Sequence, residues 1–383
     1  MDPKAQRSQS RSGDVLDEAT SPMFNPRRLT FARRRRGHNK TALAELSKVH
    51  IRSITGFEAG EFSPASDTLE RIAAALNFPP EFFFGDDLDE PSLDTGSFRS
   101  MSKMSSRLRD MAICQATIGL YLSDWLAAKF ELPSPDLPDL SREPDPEAAA
   151  ESLRRAWLLG VLPIRNMIHL LEAKGVRVFS LSIEAREVDA FSMWKGGTPY
   201  VFLNTYKTSE HSRFDAAHEL GHLVLHKEGS PHGREAETQA NRFASAFLMP
   251  RASVLANAPK YPVYETLVQL KRIWSTSVSA LAYRLHELAA ISDWQYRGLA
   301  VEITKRDRAK EPDGIPCETS LILPMIFSQL CKEGITRHKI AHALAIHGSE
   351  LEQLLLGLAI NAIDGGRAQA PEGHSSAELR RVK

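Results

Sequence analysis

Between positions 24 and 85, apolar residues recur every three to four places in four short runs set apart by polar or helix-breaking residues. This spacing predicts amphipathic helices. Leu29, Ala32 and Arg33 share a first helix that stops near Gly37, and Asn39 caps a second carrying Leu43, Ala44 and Leu46 on its buried face. Val49 falls in a tight turn, His50 to Glu58 form a third helix with Ile54 and Phe57 inward, and Leu69, Ile72, Ala73 and Leu76 stripe a fourth. Residues 100–131 also have helix-forming composition, with Leu108, Met111, Ala112, Ile118, Leu122, Trp125 and Leu126 expected inside. Beyond 147 the pattern becomes mixed. Helical stretches at 147–159 and 164–174 end at Gly175, and 176–183 alternates as a strand. Residues 190–194 and 199–204 read as a hairpin turned at Lys195-Gly196-Gly197-Thr198. Helical patterns then return.

Composition narrows the class without fixing it. A chain of 383 residues with 42% hydrophobic and 25% charged residues has room for two or three ordinary globular domains. No apolar run is long enough to span a bilayer, and the polar start lacks a signal-peptide core. Three scattered cysteines suit a reducing, cytoplasmic setting better than a disulfide framework. Acidic or proline-rich stretches after residue 86 and before residue 147 mark boundaries.

The formal net charge of +0 conceals an asymmetry: Arg27 to Arg36 holds six arginines and no acid. A local basic patch on a neutral chain points to a polyanion met by one domain. The second and third predicted helices, joined by a short turn, form a helix-turn-helix. With Ala44, Val49, Ile54, Glu58, Gly60 and the trailing Leu69-Glu70-Arg71-Ile72-Ala73 in place, the segment resembles the Xre/lambda-repressor family. Lys48 stands where that family usually has a turn glycine. The resemblance implies that Ile51, Arg52 and Thr55 face base edges of an operator in double-stranded DNA. Arg33, Arg34, Arg35, Arg36 and Lys40 are then placed for phosphates, and a homodimer is expected. Arg52 is the residue able to grip a guanine bidentately.

The chemically loaded stretch is FDAAHELGHLVLH, residues 214–226. His218-Glu219-Leu220-Gly221-His222 fits H-E-x-x-H, in which imidazoles four apart on one helical face share a metal and the intervening glutamate takes a proton from water. A third ligand must come from elsewhere. The next helix, REAETQANRFASAFLMP, offers Glu235 and Glu237, and Asn241, one turn beyond Glu237, can orient a ligand. His226 reads as a capping or core histidine, and His211 and His232 as solvated. Tyr206, His211 and Tyr261 are open candidates for the oxyanion donor, and the strand Tyr200–Leu203 for a substrate-pairing edge.

RFDAAHELGHLVLH followed by E-x-x-A-N-R-F-A-x-x-F-L-M-P resembles the ImmA/IrrE family of zinc metallopeptidases, with LEAKGVRVFSL, DAFSMW and PYVFLN in the same order. The resemblance implies Zn2+ held by His218, His222 and Glu237, Glu219 as general base, and Asn241 in support. It also implies a protein substrate, a repressor or antitoxin (a partner or the chain itself), cut in stress, mobile-element or defence regulation. The alternative is a regulator whose zincin-like domain senses a ligand or metal without cutting.

Further on, Ala341, Ile346, Leu351 and Gly357 repeat the spacing of Ala44, Val49, Ile54 and Gly60, with His347 and Glu350 expected outward. This reads as a degenerate helix-turn-helix for self-association or partner contact. The expected fold class is multidomain: an all-α helix-turn-helix domain, an α+β zincin-like metallopeptidase domain and a small helical C-terminal domain. The expected boundaries are a disordered tail at 1–23, the DNA-binding domain at 24–85 and a linker with a helical segment at 86–146. The zincin-like domain follows at 147–300, the helical domain at 301–363 and a second tail at 364–383. No membrane partner is expected.

Overall fold

The computed structural model describes residues 23–91, 104–181, 190–227, 233–306, 311–359 and 380–381. Of the expected tails at 1–23 and 364–383, residues 1–22, 364–379 and 382–383 lie outside the described residues, as do part of the linker, residues 360–363, the end of the 176–183 strand and His232.

The first helices are α1 (Pro26–Arg35), α2 (Lys40–Ser47), α3 (Ile51–Ala59) and α4 (Ser66–Leu76), followed by a 3-10 turn at Pro80–Phe84. Their starts are set by short polar caps: Asn25 accepts from the Arg27 amide, Asn39 from Ala42 and His50 from Arg52. Lys48 makes the turn between α2 and α3 at φ +54°, a left-handed conformation that costs a side-chain-bearing residue about 1–2 kcal/mol. Leu43, Val49, Ile54, Phe57, Leu69, Ile72 and Leu76 close the core of this unit. Leu46 differs from expectation. It lies on the far face of α2 and is 55% exposed.

Helix α5 (Ser106–Ala127) is more than a connector: Ala112 to Leu120 are buried without a break. It packs on α1 and on the later sheet, and Gln115 donates to the Ser180 carbonyl. A short strand β1 (Phe130–Glu131) follows, then α6 (Pro146–Ala156) and α7 (Met167–Ala173). Strands β2 (Arg177–Ser180), β3 (Ala190–Lys195) and β4 (Thr198–Leu203) form a sheet in the order β2-β4-β3. The β3–β4 hairpin turns on Gly196 and Gly197, both at positive φ, while β2 pairs with β4 in parallel. β4 is therefore the central strand, so Tyr200–Leu203 offers no edge. β3 and β2 are the outer strands.

The sheet divides the molecule. Phe179, Phe191, Met193, Tyr200 and Phe202 point into one hydrophobic core, together with α1–α5 and the C-terminal helices. Val178, Ala190, Val201 and Leu203 point into a second core on the opposite face. Period-two alternation of mostly apolar strand side chains produces a sheet buried on both sides. The second core holds α8 (Ser209–Leu225), α9 (Arg234–Leu248), α10 (Arg251–Ala256), α11 (Tyr264–Leu270), α12 (Val278–Glu287) and α13 (Asp293–Arg306). Among the described residues, no helix is long and apolar enough to cross a membrane.

The last helices, α14 (Ile322–Lys332), α15 (Arg337–Ala343) and α16 (Gly348–Leu355), repeat α1–α3 at one constant offset in numbering. Caps Asn39 and His50 correspond to Thr336 and His347. Left-handed residues Gly37, Lys48 and Gly60 correspond to Gly334, Ala345 and Gly357. Buried Leu43, Val49, Ile54 and Phe57 correspond to Ile340, Ile346, Leu351 and Leu354. The third helix of this second copy faces inward, against α5 and β2, so it is not free to enter a groove. Glu350, expected outward, is 1% exposed and bonded to Arg35 and Arg36. The copy is pinned from the other side by Glu172 of α7, which accepts from Ser320 Oγ and from the Leu321 and Ile322 amides. A two-residue strand β5 (Arg380–Arg381) pairs with β1.

Candidate functional site

Helix α8 begins at Thr208, whose hydroxyl accepts from the His211 amide, and runs inside the second core with Ala216, Ala217, Leu220 and Val224 fully buried. That packing turns His218 and His222 toward α9. Gly221 allows the approach: a Cβ there would lie 3.0 Å from the Phe243 ring and 3.3 Å from Ala240 Cα. Close contact of the two helices brings Glu237 over the histidine pair.

His218 Nε2 and His222 Nε2 are 3.0 Å apart. Glu237 places one carboxylate oxygen 3.4 Å from His218 Nε2 and the other 3.4 Å from His222 Nε2. The three donor groups lie within 4.8 Å of one another, and among the described residues they form the one cluster arranged to hold a metal ion. Glu235 stays outside it, its carboxylate reached by Gln239 Nε2 at 3.5 Å. Asn241 Oδ1 is 3.0 Å from His218 Nδ1. His222 Nδ1 faces His226 Nδ1 at 2.9 Å, and His226 Nε2 faces Gln239 Oε1 at 3.1 Å. Each of the two histidines thus has its second nitrogen engaged away from the cluster. Two imidazole nitrogens and a carboxylate, with both imidazoles oriented from behind, form a donor set that suits zinc.

Electrostatics agree with the geometry. Burial pulls the His218 pKa down, but the bond to Glu237 and the nearby Glu219 charge outweigh it, and the net direction is up. Burial pushes Glu237 up, yet its bonds to His218 and His222 hold it well below the usual carboxylate range. His226 moves the other way. Burial lowers it to about 4, against the bond to Gln239, which raises it.

Glu219, next to the first ligand and turned by about 100° around the helix, is buried. Its backbone carbonyl accepts from Ser192 Oγ of β3, and Trp194 of the same strand donates to the Leu223 carbonyl, which fastens β3 to α8. Of the oxyanion candidates, Tyr206 and Tyr261 are exposed, and His211 lies beside Lys207 and Asp215. Among the described residues, no hydrogen bond joins any of the three to the metal cluster. His226, read from the sequence as a capping or core histidine, is buried at the C-cap of α8 and also faces His222, and Gln239 behind it is the residue that sequence reasoning missed. The four-residue spacing of His222 and His226 was the available signal.

In the helix-turn-helix, Ile51, Arg52 and Thr55 are exposed along the start of α3, where a groove-reading helix presents its side chains. Lys40 is half-buried and 3.3 Å from Glu58. The arginine run behaves differently from the expected phosphate-facing row. Arg33 forms a bidentate pair with Glu58, and Arg34 bridges Glu90 and Asp110. Arg35 is 3% exposed and bonded to Glu350 and Gln353. Arg36 holds the Leu76 and Asn77 carbonyls and Glu350 while stacking on Phe78. The charge of the run is met from within, because the end of α1 faces acids of α3, α5, α16 and the stretch after the 3-10 turn.

Comparison with known proteins agrees with this division. Residues 31–83 match the family model described as helix-turn-helix, and residues 171–286 match the model described as IrrE N-terminal-like domain, a peptidase family. No curated protein gives a significant match. Residues 31–83 are thus similar to an Xre-like helix-turn-helix and residues 171–286 to a peptidase domain of the ImmA/IrrE type.

Proposed function

We propose that the protein is a DNA-binding regulator whose metallopeptidase domain is a working zinc endopeptidase directed at a repressor-type protein, a partner or the chain itself. The observation that carries the reading is the convergence of His218, His222 and Glu237, with Glu219 beside them on α8. His218, His222 and Glu237 are the residues that would hold the ion. Zinc, when bound, supplies Lewis acidity that polarises a scissile carbonyl and acidifies water. Glu219 accepts the water proton and returns it to the leaving amine. Asn241 and His226 hold the two imidazoles in place. β3, an outer strand fastened to α8, is the segment that would pair with an extended substrate chain. On the DNA side, Ile51, Arg52 and Thr55 of α3 read base edges, and Lys40 contributes a phosphate contact. The two domains on one chain would bring the peptidase to promoters where repressors sit, in stress, mobile-element or defence regulation. A cytoplasmic homodimer is the expected working form.

The test is cleavage. Wild type and Glu219→Gln are incubated with repressors encoded nearby and with the protein itself, and products are read by mass spectrometry. Cleavage by wild type and its loss in a zinc-loaded Glu219→Gln supports the peptidase. Equal cleavage by both, or none by wild type, overturns it.

A further inference from the structure

The two ligand histidines are held from behind in different ways. His218 Nδ1 meets an amide oxygen, Asn241 Oδ1, at 3.0 Å. His222 Nδ1 meets another imidazole nitrogen, His226 Nδ1, at 2.9 Å. Two such nitrogens share one proton, and the pair alone does not say which ring donates. The answer lies two bonds further out. An ionised carboxylate only accepts, so Gln239 Nε2, 3.5 Å from Glu235 Oε1, is the donor of that contact. This turns Gln239 Oε1 toward His226 Nε2 at 3.1 Å, and an amide oxygen also only accepts. A proton of His226 therefore sits on Nε2, donated to Gln239 Oε1. The facing Nδ1 atoms hold one proton between them, and a His222 that is to bind an ion through Nε2 must carry its proton on Nδ1, so His226 Nδ1 is the acceptor and His222 Nε2 would offer its lone pair to an ion between it, Glu237 and His218.

We infer that His226 is a positioning residue for the metal centre: with Gln239 and Glu235 behind it, it fixes His222 in the tautomer whose Nε2 binds the ion. The inference rests on reading the cluster as a zinc site. It gives the end of α8 a task beyond closing the helix, and it makes the first turns of α9 serve the site twice, through Glu237 directly and through Gln239 at one remove.

The test uses the full-length chain and zinc itself. Zinc affinity is measured by competition with a chromophoric chelator, and the cobalt-substituted protein gives a visible spectrum of the ligand field. His226→Leu keeps apolar bulk but no acceptor, and should weaken zinc binding about 10–100-fold and alter the cobalt spectrum. His226→Asn places Oδ1 where Nδ1 stood, and should recover affinity to within about threefold of wild type. Gln239→Leu breaks the chain one bond further out without touching the packed ring, and should weaken binding in the same direction. Affinities of His226→Leu and Gln239→Leu within about twofold of wild type, with an unchanged cobalt spectrum, would overturn the inference. A wild-type chain that holds no zinc would instead overturn the metal-centre reading beneath it.

Discussion

Replacing Glu350 by alanine tests whether the second helix-turn-helix copy is structurally part of the first core. The carboxylate is 1% exposed, 2.9 Å from Arg35 Nε and 2.6 Å from a terminal nitrogen of Arg36. After the substitution Arg36 keeps the Leu76 and Asn77 carbonyls at 2.6 and 2.8 Å. Arg35 keeps only Gln353, with its side chain 4% exposed. The cost should therefore fall mainly on Arg35 as a buried cation without its counter-charge. Removing one partner of such a pair costs about 3–5 kcal/mol. Arg27–Asp87 is the internal control, because at 82% and 51% side-chain exposure its loss should cost about 0–1 kcal/mol. Urea unfolding of the full chain, compared at equal slope, measures both. A Glu350→Ala cost no larger than that of Asp87→Ala would refute the reasoning.

Other outcomes follow from the same geometry. Gly221→Ala should push α8 from α9 at Phe243 and Ala240, destabilise by about 1–3 kcal/mol and lower zinc affinity; denaturation together with zinc titration checks it. Arg52→Ala should relax base preference at one operator position by about 1–3 kcal/mol, whereas Arg35→Ala should lower stability and leave the salt dependence of DNA binding unchanged; gel shifts across a salt series separate them. Burial pushes the Cys114 thiol up to about 12, so alkylation of the native protein at pH 8 should label exposed Cys317 and Cys331 and spare Cys114 until denaturant is added.

How much of this fold is legible in its residues depends on the range of the interactions involved. His218 and His222 are four apart on a helix, so their shared face is a local fact, and the caps Asn39 and Thr336 are equally local. Glu237 needed the ImmA/IrrE resemblance, because its place depends on how α9 docks across Gly221. The arginine run was legible as charge but not as structure: the acid that takes Arg35 lies 315 residues away. The position of β4 was hidden for a related reason. Its residues are apolar on both faces, so alternation marks no solvent side, and the parallel partner β2 is not its neighbour in sequence. Leu46 shows the opposite failure, an apolar residue at a plausible helical spacing that lies on the outer face of α2.

The proposed zinc site lies between α8 and α9. Crystals of the full chain grown with zinc, measured at wavelengths on either side of the zinc absorption edge, test this directly. One anomalous peak per chain, within bonding distance of His218 Nε2, His222 Nε2 and the Glu237 carboxylate, is the predicted result. No peak there, or a peak held by other side chains while these three stay unligated, would contradict it.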